Sequence, residues 1–464
     1  MVAVQLLRRV PALSLAVVDK GPAPGRGLAF GTRYDCHLLN VPAGNMSALP
    51  EEPDHFLRWA QANYGHPVHE TSFLPRPFFG RYISSLLEEA TERGSRGNLQ
   101  WIQGEVSSVA REQSRLEIPL TDGSTLATQS LVLAVGNFPP ADLKIPGLSR
   151  ESHRYIRSPW SASALDDFPG NANVLLIGSG LTSVDVAVAL KYEGFGGHIH
   201  ILSRRGLMPQ THRLTAGRPQ FWNEPSPRTI RGLMRLVREE VRTAEKGGDW
   251  RDVVDSLRPV TQNIWQSLSQ KERRRFLRHV RSYWEVHRHR IAPEIGDTIS
   301  QLVQAGTATV YAGRVTNYRE VGEHVEVGWR DRRTQSQRLF RVHRVINCTG
   351  PETDCRHIND PLIKSLLAQG LATPDLLSLG LDADSSGALL DSRGAPSRSL
   401  YAIGSARKGS LWESIAVPEL RVQASQLAEH LVRDLLPHRR EITGVTAETA
   451  DLDLATTAVV EGRD

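Results

Sequence analysis

Redox pairs, membrane spans and metal clusters are what this sequence has least of. Its 464 residues hold three cysteines, Cys36, Cys348 and Cys355. They make neither an even set nor a Cys-x-x-Cys pair, which argues against a disulfide framework and a dithiol redox motif. Ordinary thiols suit a reducing cytoplasm, the expected location. No apolar run approaches the roughly 18 residues of a membrane-spanning helix, so no membrane partner is expected. The apolar start, Met1 to Val18, is broken by Arg8-Arg9 and has no basic leader or cleavage site, unlike a signal peptide. His287 and His289, at i and i+2, do not share a helix face, and no cysteine or carboxylate stands at zinc spacing. No metal is expected. Neither a Ser–His–Asp grouping nor a carboxylate pair stands out, so no catalytic residue or base is named. The net charge of +5 says little about nucleic acid. The run Lys271–Arg275 and the cluster His287–Arg290 are read as the solvated faces of helices, and no nucleic-acid partner is expected.

What is present centres on Val174-Leu175-Leu176-Ile177-Gly178-Ser179-Gly180-Leu181-Thr182-Ser183. A short β-branched apolar run stops at a Gly-x-Gly turn, and an apolar-periodic helix starts at once. This is the strand–turn–helix of a dinucleotide-binding unit. Gly178 permits the tight turn, and Gly180 lets the backbone approach a pyrophosphate. The amides of Leu181, Thr182 and Ser183 open the helix where its dipole favours negative charge. Ser183 stands at the third position in place of the usual Gly or Ala. A second strand, His198 to Leu202, ends in Ser203-Arg204-Arg205. An acid there would bond the free 2′-hydroxyl of NAD; arginines accommodate a 2′-phosphate. The competing reading is a solvated basic turn. Arg204 and Arg205 favour NADPH, with NADH as the alternative.

The same interval can be laid on the front of the chain. Ser183 and Ser203 are 20 residues apart, matching the usual spacing of about 20 from glycine turn to ribose residue. Leu13 to Asp19 reads as another second strand ending in an acid, preceded by a helix from Val2 to Arg9. Counting back from Asp19 puts the glycine turn before Met1, so the first strand and phosphate loop of this unit are expected to be missing. An independent helix–strand pair is the alternative.

Further along, His37-Leu38-Leu39-Asn40-Val41-Pro42-Ala43-Gly44-Asn45-Met46-Ser47 has no regular period and suits a surface loop or the wall of a cofactor pocket. Amphipathic helices are predicted from Asp54 to Tyr64 and from Arg81 to Arg93, then a meander of strands between Leu99 and Thr128. Three buried strands end at glycines: Gly136, Gly350 and Gly404. They mark crossings between domains or approaches to a cofactor. Residues 228–290 read as mostly helical, residues 307–342 as strands, and Pro418 to Leu436 as a closing helix. The predicted architecture is α/β: two Rossmann-like dinucleotide-binding domains, one inserted in the other, with a helical insert at 215–300. Residues 1–165 and 346–437 form the split outer domain, and 166–345 the inserted one. The aromatic-free, acidic tail 438–464 is expected to be disordered.

The loop His-Leu-Leu-Asn-Val-Pro-Ala with Met46-Ser47 after it, and the segments Leu411-Trp412-Glu413 and Ala416-Val417-Pro418-Glu419-Leu420-Arg421, carry a resemblance. They resemble signatures of bacterial FAD/NAD(P)-binding flavoproteins related to class B flavin monooxygenases and N-hydroxylating monooxygenases. Relatives include urate hydroxylases and aspartate N-monooxygenases. The resemblance spans roughly residues 1–436. It implies that Asp19 holds the FAD ribose and that the loop through His37, Asn40, Pro42 and Met46 walls the isoalloxazine. It also implies that Arg76, with Gly80 and Tyr82, opens a family helix, and that Val106 meets the adenine. Gly404 and the segment Trp412 to Ala416 would approach the flavin and its pyrophosphate chain. Two departures stand out: the first phosphate loop, and Ser405 where many flavoproteins carry Asp.

The function so implied is an FAD-dependent, NAD(P)H-consuming monooxygenase. It would hydroxylate a small nitrogen-containing or electron-rich substrate with oxygen through a C4a-hydroperoxyflavin. The alternatives are an FAD-dependent oxidoreductase without oxygen transfer and a non-catalytic NADP(H)-binding remnant without FAD. The substrate and the oligomeric state are not read from the sequence.

Overall fold

The computed structural model describes the chain except residues 22–24, 93–98, 113–114, 162, 167, 169–171, 224–225, 245–247, 436–455 and 462–464. It divides into two compact units. One comprises Met1–Gly31, Pro42–Phe138 and Thr353–Arg463; the other is essentially Thr32–Val41 with Pro139–Glu352. Among the described residues no helix is long and apolar enough to cross a membrane.

The second unit follows from its local sequence. Val174–Ile177 is apolar at every position, as a parallel strand covered on both faces must be, and all four side chains are buried. The strand pairs in parallel with Ile199–Ser203 on one side and Arg344–Asn347 on the other. The helix between them, Leu181–Tyr192, is apolar nearly all round and buried from Ser183 to Leu190. The sheet runs outward through Ala308–Val321, a strand that works twice. Its first half lies parallel to Ile199–Ser203. Beyond Ala312 it becomes the first arm of an antiparallel meander with His324–Asp331 and Gln337–Val342. Trp329 and Phe340 stack across that meander with ring centroids 5.0 Å apart. The insert folds as short helices, from Ile230–Ala244 through Arg281–Arg288. Ser269 caps one of them by accepting from the Glu272 amide, and Glu272 in turn accepts the Ile230 amide at 2.8 Å.

The first unit corrects two expectations. Its six-stranded sheet places Thr456–Glu461 between Ser14–Asp19 and Ser130–Ala134, paired in parallel with both. The slot predicted to lack a first strand is therefore filled, and by a piece of the tail predicted to be disordered. The rest of that tail, 438–455 and 462–464, lies outside the described residues. The physical reason is burial: Ala458, Val459 and Val460 are almost completely covered, and a short apolar run with β-branched residues suits a two-sided strand. Leu99–Gln103 continues the sheet beyond Ser14–Asp19, and Pro396–Ala402 continues it beyond Ser130–Ala134, all in parallel. Val2–Arg9 packs against the helices Arg76–Glu92 and Val417–Leu435, with Val2 to Leu7 buried. The second predicted helix starts earlier than its periodicity suggested, at Arg76, so that Arg76 is inside it and buried.

Candidate functional site

In the second unit the candidate site is the turn after Ile177. Gly178 has φ +115°, and a Cβ there would lie 2.2 Å from the Cys348 carbonyl oxygen. No side chain fits. Gly180 is different: it caps the helix in an extended conformation, and a Cβ on it would meet nothing within 4 Å. Open space therefore stands over the first amides of a helix, as a dinucleotide pyrophosphate requires. Ser183 is fully buried and donates to the Gly180 carbonyl at 3.0 Å, so its hydroxyl fastens the turn from within. Thr182 follows Leu181 at the mouth, both partly exposed.

The hydroxyl of Ser179 ties this turn to the end of the next strand. It lies 2.7 Å from Ser203 Oγ and 2.5 Å from the Leu207 carbonyl. A carbonyl only accepts, so the Ser179 proton goes to Leu207 and the Ser203 hydroxyl donates to Ser179. Ser203 Oγ also accepts the Gly206 amide at 2.9 Å. Arg204 is thereby held out to solvent beside the glycine turn. Arg205 is turned the other way: its guanidinium stands 4.7 Å over the Tyr283 ring and donates to the His279 carbonyl at 3.4 Å. Both partners belong to the helical insert.

The loop read as a single pocket wall divides between the units at Val41/Pro42. Its first half is anchored to the second unit. His37 Nε2 donates to the Asp185 carbonyl at 3.0 Å, and its Nδ1 lies 2.9 Å from the Thr32 hydroxyl. The Asn40 carbonyl accepts from His212 Nε2 at 3.0 Å. Burial, with Arg290 close by, pushes His212 down to about 4, so the ring is neutral at physiological pH. Pro42 and Met46 belong to the first unit, where Ala43 and Gly44 amides donate to Ser72 and Glu70 carbonyls, each at 2.8 Å.

In the first unit the structure brings Asp19, Gly136 and Gly404 to the carboxyl ends of parallel strands, where open α/β sheets take their ligands. Asp19 is fully buried, and its Oδ1 accepts the Gly21 amide at 2.7 Å. Ser405, in the place of the usual Asp, donates to the Gly136 carbonyl and so joins the two glycine turns. Trp412 ends a short helix with φ +62°, a rare conformation for a bulky residue. Ala416 precedes the helix Val417–Leu435. The two signature segments meet here: Arg421 Nη1 donates to the Ser47 carbonyl at 3.2 Å. Val106 follows Leu99–Gln103, the parallel neighbour of Ser14–Asp19, and bridges Leu120 within the buried cluster that also holds Val18 and Val135. Gly350, at φ +87°, lies in the second unit after Arg344–Asn347.

Several residues were missed by sequence reasoning. Gln423 links Gly404, whose amide it accepts at 3.2 Å, to the Ser414 carbonyl, to which it donates at 3.2 Å. Asn347, wholly buried, donates to the Ala141 carbonyl at 3.0 Å and accepts the Thr349 hydroxyl at 2.7 Å, fixing the approach to Gly350. His212 is the third. None carries a local signal: Asn347 and His212 are defined by partners 206 and 172 residues away, and Gln423 by a turn that folding brings to its helix.

Both sheets have the parallel strand order of nucleotide-binding α/β folds. Residues 1–138 match the family described as FAD-NAD(P)-binding. Solved structures share the fold over nearly the whole chain. Ornithine hydroxylase PvdA from Pseudomonas aeruginosa, in its reduced form, is 16% identical with a TM-score of 0.59, covering 94% of this chain and 96% of that one. The FAD-bound cadaverine monooxygenase DfoA of Erwinia amylovora is 15% identical with a TM-score of 0.59, covering 97% and 94%. The ornithine N-hydroxylase KtzI of Kutzneria sp. 744, with reduced FAD, NADP+ and L-ornithine, is 12% identical with a TM-score of 0.56, covering 91% and 99%. No curated protein matches the sequence. The flavoprotein resemblance read from the two signatures is thus matched in fold.

Proposed function

We propose that this chain is an FAD-dependent, NADPH-consuming monooxygenase that transfers oxygen to a small nitrogen-containing or electron-rich substrate. The observation that carries the reading is the pairing of two nucleotide-type sheets in one chain, one with an open glycine cradle beside an exposed arginine. The same fold holds FAD and NADP+ together in the Kutzneria hydroxylase. The absence of a Cys-x-x-Cys pair favours it over dithiol reductases.

The described residues fit the nicotinamide coenzyme and one edge of FAD. Gly178, Gly180 and the amides of Leu181 to Ser183 would take the NADPH pyrophosphate, with Arg204 at the 2′-phosphate. Asp19, Gly136, Gly404 and the Trp412–Ala416 segment would line the FAD edge. When bound, the flavin supplies hydride acceptance and oxygen activation. The protein's part is to hold each coenzyme on its own sheet. His37 and His212 serve this by pinning the loop from Thr32 to Val41 against the second unit, while Gln423 and Arg421 hold the Gly404 turn and the Ser47 strip in the first.

The test measures NADPH oxidation, oxygen uptake and product together on purified protein, with small primary amines as substrates. A yellow protein that couples NADPH and oxygen consumption to a hydroxylated product supports the reading. NADPH oxidation that needs an electron acceptor and leaves no oxygenated product means a reductase. A colourless chain that binds NADP+ and cannot be loaded with FAD sinks the flavoenzyme reading. Replacing Arg204 and Arg205 together with Ala is expected to raise KM for NADPH about tenfold or more and to leave that for NADH nearly unchanged.

A further inference from the structure

We infer that Arg332 is a specificity-determining residue of the nicotinamide coenzyme site, acting with Arg204 on the 2′-phosphate of NADPH. The inference rests on the NADPH reading above and adds a residue from a distant segment. Its basis is the double role of Ala308–Val321. Ala312, the last residue of its parallel half, lies opposite Ser203. Gly313, the first of its antiparallel half, lies opposite Asp331. The residue after Asp331 is therefore laid beside Ala312, at the carboxyl end of Ile199–Ser203, where a ribose phosphate is read in this fold. Two hydrogen bonds fix it there. The Arg332 amide donates to the Ala312 carbonyl at 2.9 Å, and Arg332 Nη1 donates to the Arg204 carbonyl at 3.3 Å, across 128 residues of sequence. Gly206, just past the arginines, sits so close to Ala312 that a Cβ would come within 3.2 Å of the Ala312 methyl.

The charges around it argue for an anion. Arg204 and Arg332 are both exposed, and no described carboxylate pairs with either guanidinium. Asp331 is the acid next door, and it is engaged elsewhere. It accepts the amides of Arg333 and Thr334, each at 2.8 Å, and faces Arg338 at 4.0 Å. Arg205, occupied by Tyr283 and His279, is the less available of the two arginines read from the sequence. Arg332 keeps Nε and Nη2 open after its bond to the Arg204 backbone, leaving one edge of its fork for a phosphate oxygen. Two cationic side chains rooted at one strand end, the Arg332 guanidinium on the Arg204 backbone, are favoured when a dianion lies between them.

The test titrates the full chain with adenosine 2′,5′-bisphosphate and with 5′-AMP by calorimetry, so that its outcome does not depend on oxygenase activity. Arg332→Ala is expected to weaken the bisphosphate tenfold or more and leave 5′-AMP unchanged. Arg332→Gln, which keeps a donor for the Arg204 carbonyl without the charge, is expected to match it. Arg332→Lys should fall between them and wild type, keeping charge but losing the fork. Lys191→Ala, at the far end of the helix Leu181–Tyr192, is the charge control and should change nothing. Unchanged bisphosphate affinity in the Ala and Gln variants overturns the inference. Equal losses for both ligands overturn it too, by assigning Arg332 only to support of the turn. A wild-type chain that binds the two ligands equally removes the NADPH reading itself.

Discussion

Around Val174–Ile177 the strand, turn, helix and next strand follow one another within thirty residues, 174–203. Around Ser14–Asp19 the neighbouring slot waits for Thr456–Glu461, from the other end of the chain. The order of parallel strands around the nucleotide edge is alike in both units. What differs is the length of chain that must be organised to reach it. The local unit carries its instructions in a contiguous motif. The other depends on a long-range pairing whose loop-closure entropy must be met before any contact rewards it.

The largest expected effect breaks this comparison outright. Deleting residues 436–464 removes the central strand, with two buried valines worth about 1.5–3 kcal/mol each and backbone partners on both neighbours. The sum rivals the roughly 5–15 kcal/mol that holds a whole domain. Hydrogen exchange should show Ser130–Ala134 losing protection while Val174–Ile177 keeps it. Equal protection of both strands in the shortened chain would mean that the tail strand does not hold the first sheet together. Val460→Asp, placing a charge in the core, is the milder version and should cost about 3 kcal/mol or more.

Next in size is a pair of glycine changes within the second unit. Gly178→Ala puts a Cβ against the Cys348 carbonyl at a backbone angle that alanine disfavours, and should destabilise by several kcal/mol. Gly180→Ala meets no protein atom, so its melting temperature should stay near wild type. Its cost should fall on NADPH instead, with KM rising about tenfold as the methyl enters the cradle. A Gly180→Ala enzyme with unchanged KM would move the pyrophosphate elsewhere.

The smallest effect separates the units by pH. His212, and His200 with His198 beside it, are both held down to about 4 by burial. Between pH 6.5 and 4 the unfolded chain binds protons that these folded rings refuse. Stability of the second unit is therefore full above pH 6.5 and falls as pH drops toward 4, by on the order of 2 kcal/mol for His212. In the first unit Asp354 is lowered to about 2, chiefly by its bonds to Arg356. Its contribution is present above its ordinary value near 3.8 and is lost only as pH falls toward 2, and solvent around Arg356 keeps it under about 1 kcal/mol. Thermal melts of wild type and His212→Asn from pH 7 to 4 check the first part. If the two lose stability in parallel over that range, His212 is not the group responsible.

The comparison also accounts for what could be read in advance. Gly178, Gly180, Ser183 and the arginines after Ser203 were legible because their roles are set by neighbours a few residues away. Asp19 as a strand end was legible for the same reason. Thr456–Glu461 was not, because six residues in an acidic, aromatic-free tail look like many unstructured tails until the slot that buries them is known. Arg332, Gln423 and Asn347 escaped on similar grounds: a lone polar residue acquires its meaning from a carbonyl or a turn brought to it by folding. The division of the pocket-wall loop at Val41/Pro42 was hidden too, since the His37 and Asn40 anchors are on a helix and a loop over a hundred residues away.

The position of the tail strand also sets an order of events during synthesis. Everything the second unit needs has been translated once Glu352 is made, while the central strand of the first is still to come. At about 5–20 residues per second, roughly 5–20 s of translation separate the two. The outer unit, although it begins at Met1, therefore has to leave its sheet open on the ribosome and close it last. For that interval its inner strand edges, at Ser14–Asp19 and Ser130–Ala134, are what a nascent-chain chaperone would meet.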